Sequence, residues 1–210
     1  MQLIVFGPPG VGKGTLSDLL AESYKIPHIS TGEIFRNEIK SGNKELIAYV
    51  EKGLLVPDAV VNKIVEKEVS GNKCKDGFIL DGYPRTIEQS RFLESVLSKI
   101  GKKIDLVLNL VASDTLIIKR LIQRRMCSKC GALFNLATMP PKREGICDNC
   151  NSELMQRKDD NEKTIRKRIK VYYDETAPLI EHFRGRGILH DIDASTSPNE
   201  ILKNALKVIK

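Results

Sequence analysis

An α/β fold, with a parallel sheet covered by helices on both faces, is what this 210-residue chain predicts. Three observations carry it. Short apolar runs alternate with helix-period segments along the chain, the pattern of strand–helix–strand units whose crossovers make a sheet parallel. The first run, Leu3 to Phe6, leads at once into GPPGVGKGT (7–15), the strand, glycine loop and helix order of a phosphate-binding loop. The pair Cys127-x2-Cys130 is followed after 16 residues by Cys147-x2-Cys150. That is the spacing of a four-thiolate zinc site, inserted between two helices of the core.

Each element has its own signal. Leu16, Leu19 and Leu20 begin a helical apolar stripe that stops before Pro27. Ser30-Thr31-Gly32-Glu33 has capping-box spacing and predicts a helix start. Ser41-Gly42 and Gly53 divide residues 30–56 into short helices. A helix follows Pro57-Asp58, GFIL (77–80) is the next strand, and TIEQSRFLESVL (86–97) is a helix. DLVLNLV (105–111) reads as a buried strand, and SDTLIIKRLIQRR (113–125) as a helix opened by Ser113. After the cysteine segment, DDNEKTIRKRIKVYYDETAPLIEHF (159–183) predicts one long helix with Asp159 and Glu162 at capping spacing. GILHDID (187–193) is the last strand, and Ser197-Pro198 opens the final helix with proline at its favoured first position.

Composition narrows the class. Hydrophobic residues make up 41% and charged residues 29%, enough to bury one core. No apolar run approaches the ~20 residues that span a bilayer, and MQLIVFG lacks the basic start of a signal peptide. The expected compartment is the cytoplasm, where four of the five cysteines suit a metal better than disulfides. Cys74 reads as a small apolar residue near a strand. The net charge is +7, and residues 120–170 hold 13 Lys/Arg against 6 Asp/Glu while the remainder holds 21 of each. The surplus therefore sits around the cysteine segment, where it attracts phosphates, whether on a polymer or a small nucleotide.

In the glycine loop, Gly7, Gly10, Gly12 and Gly14 let backbone N–H groups turn inward, and Lys13 adds a mobile ammonium. Gly14 separates Lys13 from Thr15, so the hydroxyl stands one place later than in the generic motif. Asp81 ends a strand, well placed to hold Mg²⁺ or its waters. Arg36, Arg85, Arg124, Arg157 and Arg168 are cations of the kind that screens phosphoryl transfer. No Ser–His or Cys–His pairing accompanies them, and His28, His182 and His190 read as structural or exposed.

Together GPPGVGKGT, STGEIFR, GLLVPD, GFILDGYPRTIEQ and RKDDNEKTIRKR resemble, in order and over nearly the whole chain, the adenylate kinase family of the bacterial type with a zinc-bearing lid. The resemblance implies a P-loop core (1–29, 57–125 and 161–210), a small helical arm for the nucleoside monophosphate (30–56) and a zinc-binding lid (126–160). It implies that Gly10, Val11, Gly12, Lys13, Gly14 and Thr15, with Arg120 and Arg124, hold ATP, Arg120 packing on its base. Thr31, Arg36, Val56, Gly82, Arg85, Gln89, Arg157 and Arg168 then hold AMP. Arg36 and Arg85 grip its phosphate, Gln89 contacts the adenine and the backbone near Val56 lines the base pocket. Lys13, Arg85, Arg124, Arg157 and Arg168 act on the phosphoryl group in flight, and Asp81 and Thr15 hold Mg²⁺ through water. Cys127, Cys130, Cys147 and Cys150 hold one structural Zn²⁺. Leu54 and Tyr83 depart from the lysine and phenylalanine common at those places.

The implied reaction is ATP + AMP ⇌ 2 ADP, run by a cytoplasmic monomer without nucleic-acid or membrane partners. A kinase for another nucleoside monophosphate, or one using GTP as donor, is the alternative. A zinc-ribbon nucleic-acid ATPase is the remote one, since Phe134 is the single aromatic of 126–160 and offers no stacking platform. A GTPase is excluded by the lack of an Asn-Lys-x-Asp signature.

Overall fold

The structure, a computed structural model, describes residues 1–209. Its central strand is β1 (Gln2–Phe6), all five residues buried. Ile4 and Phe6 enter one apolar cluster, Leu3 and Val5 another, because side chains alternate across a strand. The chain then turns through the glycine loop into α1 (Lys13–Tyr24), capped by Gly12 at φ 116°. Only glycine takes that left-handed conformation freely. Leu16 and Leu20 of α1 are buried under the sheet, each contributing roughly 2 kcal/mol.

A three-residue strand, β2 (His28–Ser30), precedes α2 (Thr31–Lys40). Its period-two signal is too short to read. Ser30 stands at the N-cap of α2, but the expected capping box does not form. Ser30 Oγ faces Asp81 Oδ2 at 3.5 Å instead. A 3₁₀ turn at Lys44–Leu46 and the short α3 (Ile47–Val50) complete the broken helical stretch. α4 (Asp58–Val69), β3 (Phe78–Asp81), α5 (Ile87–Lys99) and β4 (Leu106–Val111) follow in the order expected. Thr86 caps α5 by accepting from Gln89 N–H, and Ser113 caps α6 (Asp114–Ile122) by accepting from Leu116 N–H.

α6 ends three residues earlier than its sequence suggests. Arg124 and Arg125 belong to β5 (Arg124–Cys127), which pairs antiparallel with β6 (Leu133–Asn135) and β7 (Leu154–Met155). This second, three-stranded sheet was not legible, because its strands are two to four residues long. Beyond it, α7 (Glu162–Val171) is capped by Asn161, whose side chain accepts from Thr164 N–H, and not by Asp159. The single long helix expected here is broken. A π turn at Tyr172–Thr176 leads into α8 (Pro178–Arg184). Pro178 has no N–H to continue an α ladder, and Ala177 N–H reaches back to the Tyr172 carbonyl at 2.8 Å. β8 (Leu189–Asp193) and α9 (Pro198–Val208), capped by Ser197, close the chain.

The five-stranded sheet runs β2-β3-β1-β4-β8, parallel throughout. α1 and α9 cover one face, and α4, α5 and α8 cover the other. In this register Val5 lies beside Asp81 and Phe6 beside Asn109. The carboxyl ends of β1, β3 and β4 therefore open at one edge, where ligands of such sheets bind. Among the described residues, no helix is long and apolar enough to cross a membrane.

Candidate functional site

At that edge lies a cleft of about 940 Å³, walled by the glycine loop, α2, the 81–85 turn and the cysteine segment. Lys13 Nζ donates to the carbonyls of Gly7 and Pro8, both at 2.9 Å. Burial pulls its pKa down to about 8, against the attraction of Asp81. The Lys13 ammonium is thus folded back onto carbonyls of its own loop. Val11 is buried, and Gly10, Gly12, Gly14 and Thr15 line the wall. Asp81 is near enough to the loop that a Cβ on Gly14 would sit 3.6 Å from its Oδ2. Burial by itself would raise the Asp81 pKa, but His28, Lys13 and Arg85 hold it below the usual carboxylate range.

His28, expected to be structural or exposed, is partly buried in a specific setting. Nδ1 lies 2.7 Å from Asp18 Oδ1 and Nε2 3.8 Å from Asp81 Oδ2. Burial disfavours its charge, yet the two carboxylates outweigh it and raise the pKa to about 9. His182 pairs with Glu94 at 3.5 Å and His190 is exposed, neither on the cleft wall.

All five singled-out arginines reach the cleft. Arg124 binds Asp160 in a two-pronged pair at 2.6 and 2.8 Å, and Arg168 binds Asp159 at 2.8 Å and Asp160 at 3.3 Å. Asp160 is fully buried between them. Arg85 Nε donates to the Gly82 carbonyl at 2.8 Å. Among the described residues, Arg36 and Arg157 have no carboxylate at ion-pair distance, and Arg157 Nε is buried without any hydrogen-bond partner. Burial, followed by the repulsion of Arg124 and Arg36, pulls the Arg157 pKa down to about 9. Burial also depresses Arg36, Arg85 and Arg168. The guanidinium of Arg120 is spent differently: it donates to the carbonyls of Val11 at 3.1 Å and Ala194 at 2.7 Å, tying the loop to the segment before α9.

A second group lines the same cleft. Thr31 Oγ1 donates to the Gly82 carbonyl at 2.9 Å. Gly82, at φ 78°, leaves no room for a side chain, since a Cβ would fall 2.9 Å from Thr31 Oγ1. Gln89 is buried, and its Oε1 accepts from Arg85 N–H at 2.7 Å. Val56 is buried beside them. Tyr83 is buried too, with its hydroxyl 2.7 Å from Asn62 Oδ1, so the polar tip is satisfied. Segments 30–56 and 126–160 meet: Lys40 Nζ donates to the Ser128 carbonyl at 3.4 Å, and Lys158 pairs with Glu51 at 2.9 Å.

In the cysteine segment, the four Sγ atoms of Cys127, Cys130, Cys147 and Cys150 lie within 4.8 Å of one another. Cys127 and Cys150 Sγ lie 3.4 Å apart, and Cys130 and Cys147 Sγ 3.5 Å apart. Two matching knuckles present them. Each turns through a left-handed residue, Gly131 or Asn151, whose N–H returns to the carbonyl of Cys127 or Cys147. This cluster can hold a metal ion. Phe134 and Leu154 pack against it as a small core, so the one aromatic of the segment is buried. Cys74 is fully buried in the main core.

Sequence reasoning missed the acids that hold the cations. Asp159 has cap spacing in the sequence, and Asp160 and Asp18 carry no signal there beyond ordinary helix or loop residues. Their partners are distant in sequence, and no spacing connects them.

The family model described as adenylate kinase matches residues 5–188. The chain is 45% identical over 212 aligned residues to the adenylate kinase of Caldicellulosiruptor saccharolyticus, covering 100% of this chain and 99% of that one. It is 47% identical to the Caldicellulosiruptor bescii adenylate kinase, covering 90% and 89%. With the Clostridioides difficile adenylate kinase it shares 42% identity, covering 100% and 98%.

Proposed function

The chain belongs to the adenylate kinase family, and on that premise we propose how its residues move a phosphoryl group reversibly from ATP to AMP to give two ADP. The observation that carries the proposal is the charge of the cleft. Six arginines and two lysines line it against four carboxylates (Asp18, Glu33, Asp81 and Asp159), and the buried Arg157 Nε has no partner. Buried cations persist when an anion completes them, and two nucleotides bring several phosphates.

In this reading the glycine loop and Lys13 wrap the ATP phosphates, with Arg120 and Arg124 on the same side. Thr31, Arg36, Val56, Gly82, Arg85 and Gln89 receive AMP, the two arginines on its phosphate. An AMP phosphate oxygen, already anionic near neutral pH, attacks the γ-phosphorus in line, so no general base is needed. Arg85, Arg124, Arg157 and Arg168 screen the charge spread over the transferring group. The family uses Mg²⁺ with ATP, which neutralises phosphate charge when bound. Asp81, an ionised carboxylate beside Gly14, and Thr15 offer the hard oxygens that its water shell prefers. The arm (30–56) and lid (126–160) close over the substrates and expel water that would otherwise take the phosphoryl group. Their two polar contacts support that closure.

The lid metal is read as one structural Zn²⁺. Tetrahedral thiolates at about 2.3 Å from zinc lie about 3.8 Å apart, close to the sulfur separations present. Four thiolates leave no open position for water or substrate. We further read the protein as a cytoplasmic monomer whose partners are ATP, AMP and ADP.

The test is a coupled assay of ADP formation across acceptors (AMP, GMP, CMP, UMP) and donors (ATP, GTP). AMP should exceed the other acceptors by more than about tenfold in kcat/KM. Equal turnover with another monophosphate overturns the acceptor assignment.

A further inference from the structure

The carboxylate of Asp58 has no part in the transfer described above, yet both its oxygens are engaged. Asp58 is the first residue of α4 and reaches across to the start of α5. Gln89 Nε2 donates to Asp58 Oδ1 at 2.7 Å, and Thr86 Oγ1 donates to Oδ2 at 2.8 Å. Thr86 Oγ1 in turn accepts from Gln89 N–H at 3.1 Å. At the other side of the same amide, Gln89 Oε1 accepts from Arg85 N–H at 2.7 Å.

A primary amide carries two N–H donors and two acceptor lone pairs. These contacts use one of each. One N–H on Nε2 and one lone pair on Oε1 are left over, on a side chain that forms part of the cleft wall. The same contacts forbid the opposite orientation. A half-turn of the amide would set Oε1 against a carboxylate that only accepts, and Nε2 against a backbone N–H that only donates. An unrestrained glutamine can match any base edge bearing one donor and one acceptor, because the half-turn exchanges its ends. A held glutamine matches one order alone.

Adenine and guanine differ in that order. At position 6 adenine has an amino donor and guanine a carbonyl acceptor; at position 1 adenine accepts and guanine donates. We propose that Asp58 is a specificity-determining positioning residue: by holding the Gln89 amide in one orientation, it makes the acceptor site take a 6-aminopurine monophosphate and reject a 6-oxopurine one. The inference rests on the reading of Gln89 as the residue facing the acceptor base. Rejection follows because a wrong base leaves buried donors facing donors and acceptors facing acceptors.

The experiment compares AMP with IMP and GMP as acceptors, with Mg-ATP as donor, for the wild type, Asp58→Ser, Asp58→Ala and Asp58→Asn. IMP isolates the 1,6 edge, since it lacks the guanine 2-amino group. Serine can donate or accept and alanine can do neither, so both remove the charged restraint on Nε2 and leave only the neutral Arg85 N–H on Oε1 to oppose the half-turn. Asparagine keeps an oxygen for Gln89 Nε2 and keeps the hold. The AMP-to-IMP ratio of kcat/KM should fall on the order of tenfold or more in the Ser and Ala variants. The change should lie mainly in acceptor KM, with KM for ATP unmoved and the Asn variant near wild type. Each ratio is read below that variant's melting temperature, so lost stability does not obscure it. Ser and Ala variants that lose kcat alike on every acceptor and keep the wild-type ratio overturn the proposal. A wild type that uses IMP or GMP as readily as AMP overturns the underlying acceptor reading instead, whatever the variants do.

Discussion

A guanidinium taken out of water needs an anion, and Arg157 has none of its own: its Nε is buried without a partner and Arg124 and Arg36 crowd it. On the function proposed above, substrate phosphates supply that anion. Arg157→Met, which keeps much of the apolar stem, is expected to raise the melting temperature of the nucleotide-free protein while lowering turnover, the exchange of stability for activity common at built sites. A variant that melts earlier and turns over normally would show that Arg157 serves the fold. Arg85 differs, since its Nε already holds the Gly82 carbonyl at 2.8 Å. Arg85→Ala should cost roughly 10³-fold or more in turnover, as for a cation that clamps a transferring phosphoryl group. Its melting curve should barely move, and near-normal AMP-dependent turnover would remove it from the site.

Among the elements, the junction of β5 with α7 is the most telling. Asp160, fully buried, binds Arg124 on β5 and Arg168 on α7 at once. It links the start of the cysteine segment to the core helix. Asp160→Asn keeps the shape but leaves two guanidiniums short of charge. A loss of about 3 kcal/mol is expected, seen as an earlier melt that ATP partly restores. An unchanged melt would mean that Asp159 suffices. The cysteine segment has its own small core of Phe134 and Leu154 against the sulfurs, too few side chains to hold three short strands. Cys147→Ser should lower bound zinc and the melting temperature together. Activity should persist well below the new melting point, because Lys13 and Arg85 are untouched. A zinc-free variant with the segment folded but phosphoryl transfer lost would give the metal a catalytic role.

At the scale of the molecule, the net charge of +7 and the concentration of cations at one cleft act as a polyphosphate receptor. Tripolyphosphate at about 100 times its Kd should stabilise the protein by about 2.7 kcal/mol, measured as a rise in melting temperature that sodium chloride of equal ionic strength does not produce. A fluorescent oligonucleotide should bind weakly at physiological salt and be displaced by excess ATP. Tight binding that ATP leaves in place would revive a nucleic-acid role for the basic surface.

What the sequence by itself determined are the features whose cause is local. GPPGVGKGT needs only its own glycines and the following helix to make a phosphate loop. Ser113, Thr86 and Ser197 cap helices three residues away. The cysteine pairs carry their knuckle in their spacing, and the buried strands show their burial in unbroken apolar runs. Tertiary structure decided everything whose cause is distant. Ser30 has a capping box at hand, yet β2 lies beside β3 and its hydroxyl turns to Asp81. Asp159 has cap spacing, yet Arg168 claims it and Asn161 caps instead. The arginines could be named one by one, but which of them have counterions depends on Asp159 and Asp160. The orientation of Gln89 depends on Asp58, 31 positions away. A hydrogen bond between neighbours in sequence is chosen by spacing. One between distant residues exists only after the core has packed, because the entropy of closing such a loop is met by the apolar burial around it and not by the bond.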